Sequence, residues 1–541
     1  MNTQERKTTS SVPALVAVLI AYSLCILGGY HYERLTGDAT LYISIAEKYI
    51  RGDFSGAING YWGPLLSWLL VPFLLMGADH VFAINALNLL FGLLTIIGVW
   101  RLSYRFEMSE HIRSIVLIPL VPVLLFISLI EPMDFLLLCV LVYYLAIVFR
   151  EEYPQRSSQA VAAGVLGSWA YFSKPFGFPF FISHFLLING FHYFRESSPG
   201  YRKKVRRNLI AGFAVFALLS GIWIGLISSK YHRLTFSNMG RGVFASLGPE
   251  SKHDTLEKGD PIFFEGFFAP PNDTAFVIYE DPTYARKSTW NPLESERNFQ
   301  HFVSNMVENV FESFRIYESY SRLAISIVII YVLFLLYQPA GTLLSRGDLL
   351  YPLFTIVLYT GGYLPFHLET RYLWIVNILL LLMGGALLNE LFRRDFFRKG
   401  IMKKTLVALF VISFIITPLK AAVEIGRHHV NSEMHQLGTE LKSRYGIKGN
   451  IASNRIKLEV TSHDSWHNTF RLAYWLNSRY YGQAKDGISP RELEEELKKY
   501  NMDYYFYWKS AERPPEFLSH YKEITGGQIK GLRIYSLKEK R

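Results

Sequence analysis

A single acid, Asp38, stands in the run Arg34-Leu-Thr-Gly-Asp38-Ala-Thr-Leu-Tyr42. Two more acids, Glu131 and Asp134, flank the short turn Glu131-Pro-Met-Asp134. Lys174 is a lone cation in Tyr171-Phe-Ser-Lys174-Pro175-Phe-Gly177, and His367, Glu369 and Arg371 alternate in His367-Leu-Glu369-Thr-Arg371-Tyr372. A positioned carboxylate takes a proton as a general base. A close pair of carboxylates suits an acid pair, an acceptor contact or a ledge for a metal. Lys and Arg suit a phosphate, Arg through its fixed fork of donors. Alternate residues of an extended segment share a side, so His367, Glu369 and Arg371 are expected to face one place, unless Arg371 serves only to pair with Glu369. Structural readings stand beside these. Asp38 is placed to cap the helix that follows it, Asp134 to cap the helix after its turn, and Glu131 and Lys174 to reach toward water from the ends of apolar segments.

The elements that must position these residues are apolar and long. Of 541 residues, 50% are hydrophobic and only 19% charged, and the apolar residues fall in uncharged blocks rather than amphipathic stripes, which excludes a soluble, disordered or fibrous chain. Eleven spans are expected, at 12–29, 81–100, 114–131, 133–149, 157–172, 176–191, 209–229, 322–337, 349–365, 372–391 and 405–419. The first is expected to remain as a span, since no small-residue cleavage site follows it. With the N-terminus inside, 20 Lys and Arg fall in the six inside segments, against five (Arg34, Lys48, Arg51, Lys174 and Arg371) in the four shorter outside ones. That asymmetry fixes the expected orientation as N-in and C-out. Both cysteines, Cys25 and Cys139, lie within apolar blocks, so no disulfide framework is expected. The excess of 56 Lys and Arg over 45 Asp and Glu belongs to the loops as a topology signal, and no nucleic acid is expected as a partner.

Three larger pieces then lie outside: a first loop at 30–80, a second at 230–321, and a tail. The chain divides into a transmembrane domain, 1–420, and a C-terminal domain, 421–541, expected to be a small α/β unit. In the tail a strand is expected near 450–453, helices at 469–481 and from 489, and strands at 503–508 and 532–537. Ser489-Pro490-Arg491-Glu492 carries the signature of a capping box. In the first loop, Leu41, Tyr42, Ile45, Ala46, Tyr49 and Ile50 recur at helical spacing, which predicts an amphipathic helix lying in the membrane interface. Segment 65–76 is too short to span comfortably and predicts a re-entrant or surface helix. His184, mid-span, reads as a hydrogen-bonded histidine between helices. With this topology all seven ionisable residues lie at the outer ends of spans or beside them, and charges at membrane level are costly and usually functional. No P-loop, zinc spacing, G-x-S-x-G or D-x-D motif is present.

Several motifs occur in a telling order: Asp38-Ala-Thr-Leu-Tyr42 after the first span, Arg51-Gly-Asp-Phe54, Trp62-Gly-Pro-Leu65, Asp134 at the start of the fourth span, Lys174-Pro175 after the fifth, and Arg371-Tyr372 at a late one. In this order, across 10–420, the sequence resembles the GT-C superfamily of membrane glycosyltransferases. It is most similar there to the bacterial group of protein O-mannosyltransferases and lipid A aminoarabinose or galacturonic acid transferases, a glycosyltransferase family 39-like group. The resemblance implies an inverting transfer of a sugar from a polyprenyl-phosphate donor to a hydroxyl of a lipid, glycan or protein on the outer face of a bacterial inner membrane. It implies Asp38 as the base, Lys174 and Arg371 at the donor phosphate, and Asp134, Glu131, His367 and Glu369 around the acceptor or sugar. The sequence requires no cofactor and leaves a divalent cation open at Asp134 and Glu131. Rival expectations are a glycan polymerase or ligase with a diphosphate-linked donor, and a lipid-linked-sugar flippase, although the repeats and mid-bilayer charges of transporters are missing.

Overall fold

The computed structural model describes residues 10–28, 35–130, 132–245, 247–249, 266–284, 290–339, 349–398, 400–427, 430–456, 465–508 and 513–540. Arg34 and Glu131 lie outside the described residues. The chain forms two compact units: Met1–Tyr32, Phe82–Phe236 and Phe299–Arg427 make one, and Glu33–Val81, Ser237–Asn298 and His428–Arg541 the other. Most of the first loop and of the second thus cluster with the C-terminal residues rather than with the spans.

The first unit is helical. Every apolar block expected to span coincides with a helix, from Val12–Leu27 to Gly400–Arg427. Among the described residues, five are long and apolar enough by length and composition to cross a bilayer: His80–Ser103, Glu110–Leu129, Pro199–Lys230, Thr370–Leu391 and Gly400–Glu424. A sixth counts if Glu296–Tyr320 and Ala324–Leu336 are one span, bent by 103°. Others are shorter: Phe135–Val148 has 14 residues, which is about 21 Å of helix at 1.5 Å per residue, less than the roughly 30 Å of hydrocarbon. Since lipid is as apolar as the helices, packing and interhelical hydrogen bonds must hold them together. His184 makes one such link, as its spacing predicts. Its Nδ1 lies 3.0 Å from Tyr144 Oη and its Nε2 2.9 Å from Thr355 Oγ1, tying three helices. Helix Glu296–Tyr320 was not expected. Its apolar residues Phe299, Val303, Val307 and Phe311 recur at helical spacing and are exposed, while its other side docks through Tyr317 Oη to Thr360 Oγ1 (2.6 Å) and Tyr320 Oη to the Thr370 carbonyl (2.6 Å).

The second unit is α/β. Among the described residues six strands, β1 (Gly266–Phe267), β2 (Asn450–Ser453), β3 (Arg479–Gln483), β4 (Tyr504–Trp508), β5 (Tyr521–Glu523) and β6 (Leu532–Lys540), form one sheet in the order β1-β3-β2-β4-β6-β5. Strand β2 runs parallel to β3 and β4, and the other pairs are antiparallel. The crossover helices are Ser465–Trp475 and Pro490–Lys499; the second opens on the expected capping box, with Ser489 and Glu492 each bonding the other's backbone N–H. The expected helix 469–481 is displaced: helix Ser465–Trp475 ends earlier, and 479–483 is strand β3, because Asn477 takes a positive φ that breaks the helix.

Helix Gly37–Ile50 corrects the expectation of an interfacial helix. Residues 39–46 are all buried, and so is Lys48. Thr40, Ser44 and Lys48 form a polar stripe that reads as a water-facing side, yet Ser44 Oγ donates to Glu280 Oε1 (2.9 Å) and Lys48 Nζ pairs with Glu280 Oε2. The Phe276 N–H also donates to Glu280 Oε1 (2.8 Å). Asp53 adds a second tie between the loops. It caps helix Phe54–Ala57 and accepts from Thr274 Oγ1 at 2.6 Å, a bond that holds its carboxyl below the ordinary value.

Candidate functional site

In the helical unit, Asp134 closes a short 3-10 turn, Pro132–Asp134, and occupies the N-cap position of helix Phe135–Val148. Its side chain makes no capping bond. Instead Oδ1 accepts from Lys174 Nζ at 2.7 Å and Oδ2 faces Arg371 Nε at 3.7 Å. The capping alternative for Asp134 is therefore incorrect, and Lys174 does not reach for water.

Local sequence explains the aim of Lys174. It follows helix Ser157–Ser173 and precedes Pro175, whose ring disfavours helical geometry in the residue before it. Lys174 accordingly takes φ −153°, ψ 134° and leaves the helix. The next helix begins at Gly177, where a Cβ would collide with the backbone of Ala170 and Tyr171. Backbone cannot give way as a side chain does. Gly177→Ala is expected to cost about 1–3 kcal/mol of stability and to loosen the Lys174–Asp134 pair, read as a lower thermal unfolding temperature of the detergent-solubilised chain.

The alternating triad does converge. Arg371 Nε lies 2.6 Å from Glu369 Oε2, Tyr372 Oη donates to Glu369 Oε1 at 3.1 Å, and His367 Nε2 lies 3.6 Å from the same Oε1. The Lys174 ammonium sits 4.1 Å from the centroid of the Tyr372 ring, a cation–π contact that joins the two halves of the cluster. Tyr372 stacks on Tyr363, and Tyr363 on Phe176. Burial pushes the Glu369 carboxyl up, but the Arg371 guanidinium, with help from the Lys174 ammonium, outweighs it and holds it below its ordinary value, so it is ionised. Burial holds the His367 imidazole below its usual range, which leaves it neutral at pH 7. The cluster is then two cations and two carboxylates, mutually paired and half-buried or deeper. An anion entering it meets cations that must exchange partners, not cations waiting unpaired.

Glu131 is outside the described residues. Among the described residues no three His, Cys, Asp or Glu side chains are grouped to hold a metal ion; Asp134, where the sequence leaves a divalent cation open, has Lys174 and Arg371 as counter-charges.

Asp38 belongs to the second unit, in the first turn of helix Gly37–Ile50. It is not the cap. Thr36 is, its Oγ1 accepting from the Ala39 N–H at 3.3 Å. The turn before Asp38 is set by Gly37, whose missing Cβ would stand 2.9 Å from the ring of Phe470. The next turn of the helix presents Tyr42, packed edge-on against Trp62 at 5.4 Å. Sequence reasoning missed the Lys48–Glu280 pair that anchors this helix, because the partners are separated by more than two hundred residues.

No family model matches the sequence, and no curated protein matches it. Solved structures do. The chain is similar to ArnT from Cupriavidus metallidurans bound to undecaprenyl phosphate, with a TM-score of 0.56 and 11% identity over 97% of each chain. It is similar to the Archaeoglobus fulgidus oligosaccharyltransferase tethered with an acceptor peptide containing the NVT sequon, with a TM-score of 0.53 and 12% identity over 92% of this chain and 68% of that one. A third likeness is to the archaeal oligosaccharyltransferase AglB from the same organism, in complex with an inhibitory peptide and a dolichol-phosphate, with a TM-score of 0.51 and 10% identity over 92% and 69%. At these identities the likeness is one of fold: the chain is a polytopic membrane protein with the GT-C-like fold that the order of its motifs predicts.

Proposed function

We propose that the protein is an inverting glycosyltransferase that moves a sugar from a polyprenyl-phosphate donor to a hydroxyl on a lipid, glycan or protein, at the outer face of a bacterial inner membrane. The observation that carries this reading is the paired cluster of Asp134, Lys174, Glu369 and Arg371 at the ends of membrane helices, within a fold shared with proteins that bind lipid phosphates. Lys174 and Arg371 receive the donor phosphate by exchanging their carboxylates for its oxygens. The acceptor oxygen attacks the anomeric carbon from the face opposite the phosphate, and that carbon's bond to the phosphate oxygen breaks, its electron pair leaving with the phosphate. Asp38 takes the acceptor proton. Asp134, Glu131, Glu369 and His367 orient the sugar and the acceptor.

The test is incubation of the purified chain with radiolabelled polyprenyl-phosphate sugars and a membrane lipid extract. Label is expected to move to an acceptor with release of polyprenyl phosphate. Arg371→Gln is expected to weaken donor binding about 10–100-fold, the value of one charge-assisted contact. Transfer only from diphosphate-linked donors would replace this reading by a polymerase or ligase, and translocation without bond cleavage would replace it by a flippase.

A further inference from the structure

The second unit contains a groove of about 730 Å³ that the proposed chemistry does not use. Three stretches of chain build it: the end of helix Gly37–Ile50 with residues 78–80, the segment 273–276 of the second loop, and residues 442–479 of the C-terminal part. All three lie within the one compact unit. Its volume falls in the range of about 300–1,000 Å³ in which small-molecule sites are found.

The groove has a fixed wall. His80 stands between Glu47, whose Oε1 is 3.3 Å from its Nε2, and Tyr474, whose Oη is 2.6 Å from its Nδ1. This carboxylate–imidazole–phenol chain links the first loop to the C-terminal part, and burial pushes the Tyr474 phenol well above its ordinary value, so it stays protonated. Beside it lies Trp475, half-buried, with the His435 ring 4.2 Å from its own. An indole backed in this way offers a flat surface of the kind on which the C–H face of a sugar ring packs, and the exposed Asn477 beside it supplies a hydrogen-bonding group.

The charges are unevenly used. Arg51 is tied to Glu47 at 2.7 Å, and Arg479 stands 4.0 Å from Asp273. Lys442 and Lys448, both exposed and both on the C-terminal part, have no ion-pair partner among the described residues. Two uncommitted cations lining the same groove as an aromatic platform select for a sugar that carries negative charge. We infer that this groove binds an acidic saccharide, its ring on Trp475 and its carboxylate or phosphate group at Lys442 and Lys448. If the transferase reading holds, the groove grips the acceptor glycan away from its reacting hydroxyl; the binding itself does not depend on that reading.

The experiment measures binding without turnover, on full-length Asp38→Asn protein in detergent with no donor present. Trigalacturonate, maltotriose, inorganic phosphate and phosphatidylglycerol micelles are titrated while tryptophan fluorescence is followed. Trigalacturonate is expected to bind saturably and the other three much more weakly. Lys442→Glu with Lys448→Glu should weaken that binding about tenfold or more, with the difference shrinking at high salt. By equilibrium dialysis, which needs no indole at the site, Trp475→Ala should abolish trigalacturonate binding and Trp475→Tyr should restore it, separating a lost platform from a damaged fold. Equal binding of maltotriose would overturn the role of charge. Equal binding of phosphate alone, or of the micelles, would show an anion or lipid site instead. Absence of trigalacturonate binding in a folded chain would overturn the inference and leave the transferase reading untouched.

Discussion

Asp38→Asn is expected to lower sugar transfer by about 10²–10⁴-fold, the usual contribution of a general base, with donor affinity unchanged. The substitution is nearly isosteric and removes the carboxylate that would accept the proton. The structure makes it a clean test, because the start of helix Gly37–Ile50 is held by Thr36 and not by Asp38. Thr36→Ala supplies the contrast. Losing the cap should cost about 0.5–2 kcal/mol of stability while transfer per folded molecule is kept. Donor binding and single-turnover transfer, measured side by side, separate the two variants. Near-normal transfer by the Asn variant would remove Asp38 from the chemistry, and Asp134 would then be the next acid to examine.

Lys48→Met is expected to destabilise the second unit by about 3–5 kcal/mol, the cost of leaving a buried charge without its partner. Glu280 is 1% exposed and Lys48 2%, so water cannot replace the lost ammonium. Ser44 and the Phe276 N–H continue to bond Glu280 Oε1, but neither carries positive charge. Amide exchange across 39–46 should speed up by roughly 10²–10³-fold, since opening of the helix governs it. Adding Glu280→Gln should recover most of the loss: the amide keeps the acceptor oxygen and has no charge to bury. Unchanged exchange in the Lys48→Met chain would show that the pair contributes nothing to holding this helix.

The spans were legible because a lipid environment demands uninterrupted apolar residues, and each block so read is a helix. The capping box at Ser489 and the main C-terminal strands were legible because their signals are local. Partners far apart in sequence were not. Glu280 has no local feature that distinguishes it from any loop acid, so the helix that carries Lys48 reads as interfacial. Helix Glu296–Tyr320 escaped because its apolar residues are interleaved with charges. At the site, alternation brought His367, Glu369 and Arg371 together on paper as in the fold. Their meeting with Asp134 and Lys174 depends on how three helix ends converge, which spacing along the chain does not encode.

The order of strands has a consequence for synthesis. Among the described residues strand β1, in the second loop, pairs only with β3, which lies roughly 200 residues further on and takes about 10–40 s to reach at ribosomal rates. Until then the backbone edge of Gly266–Phe267 has no sheet to join. Phe276, stacked on Phe470 in the finished protein, waits about as long, and His80, bonded to Tyr474, waits about twice as long. These later residues therefore act as a template on which two earlier loops take their final form. Removing 428–541 would strip both loops of that template, so such a truncation reports on assembly before it reports on recognition.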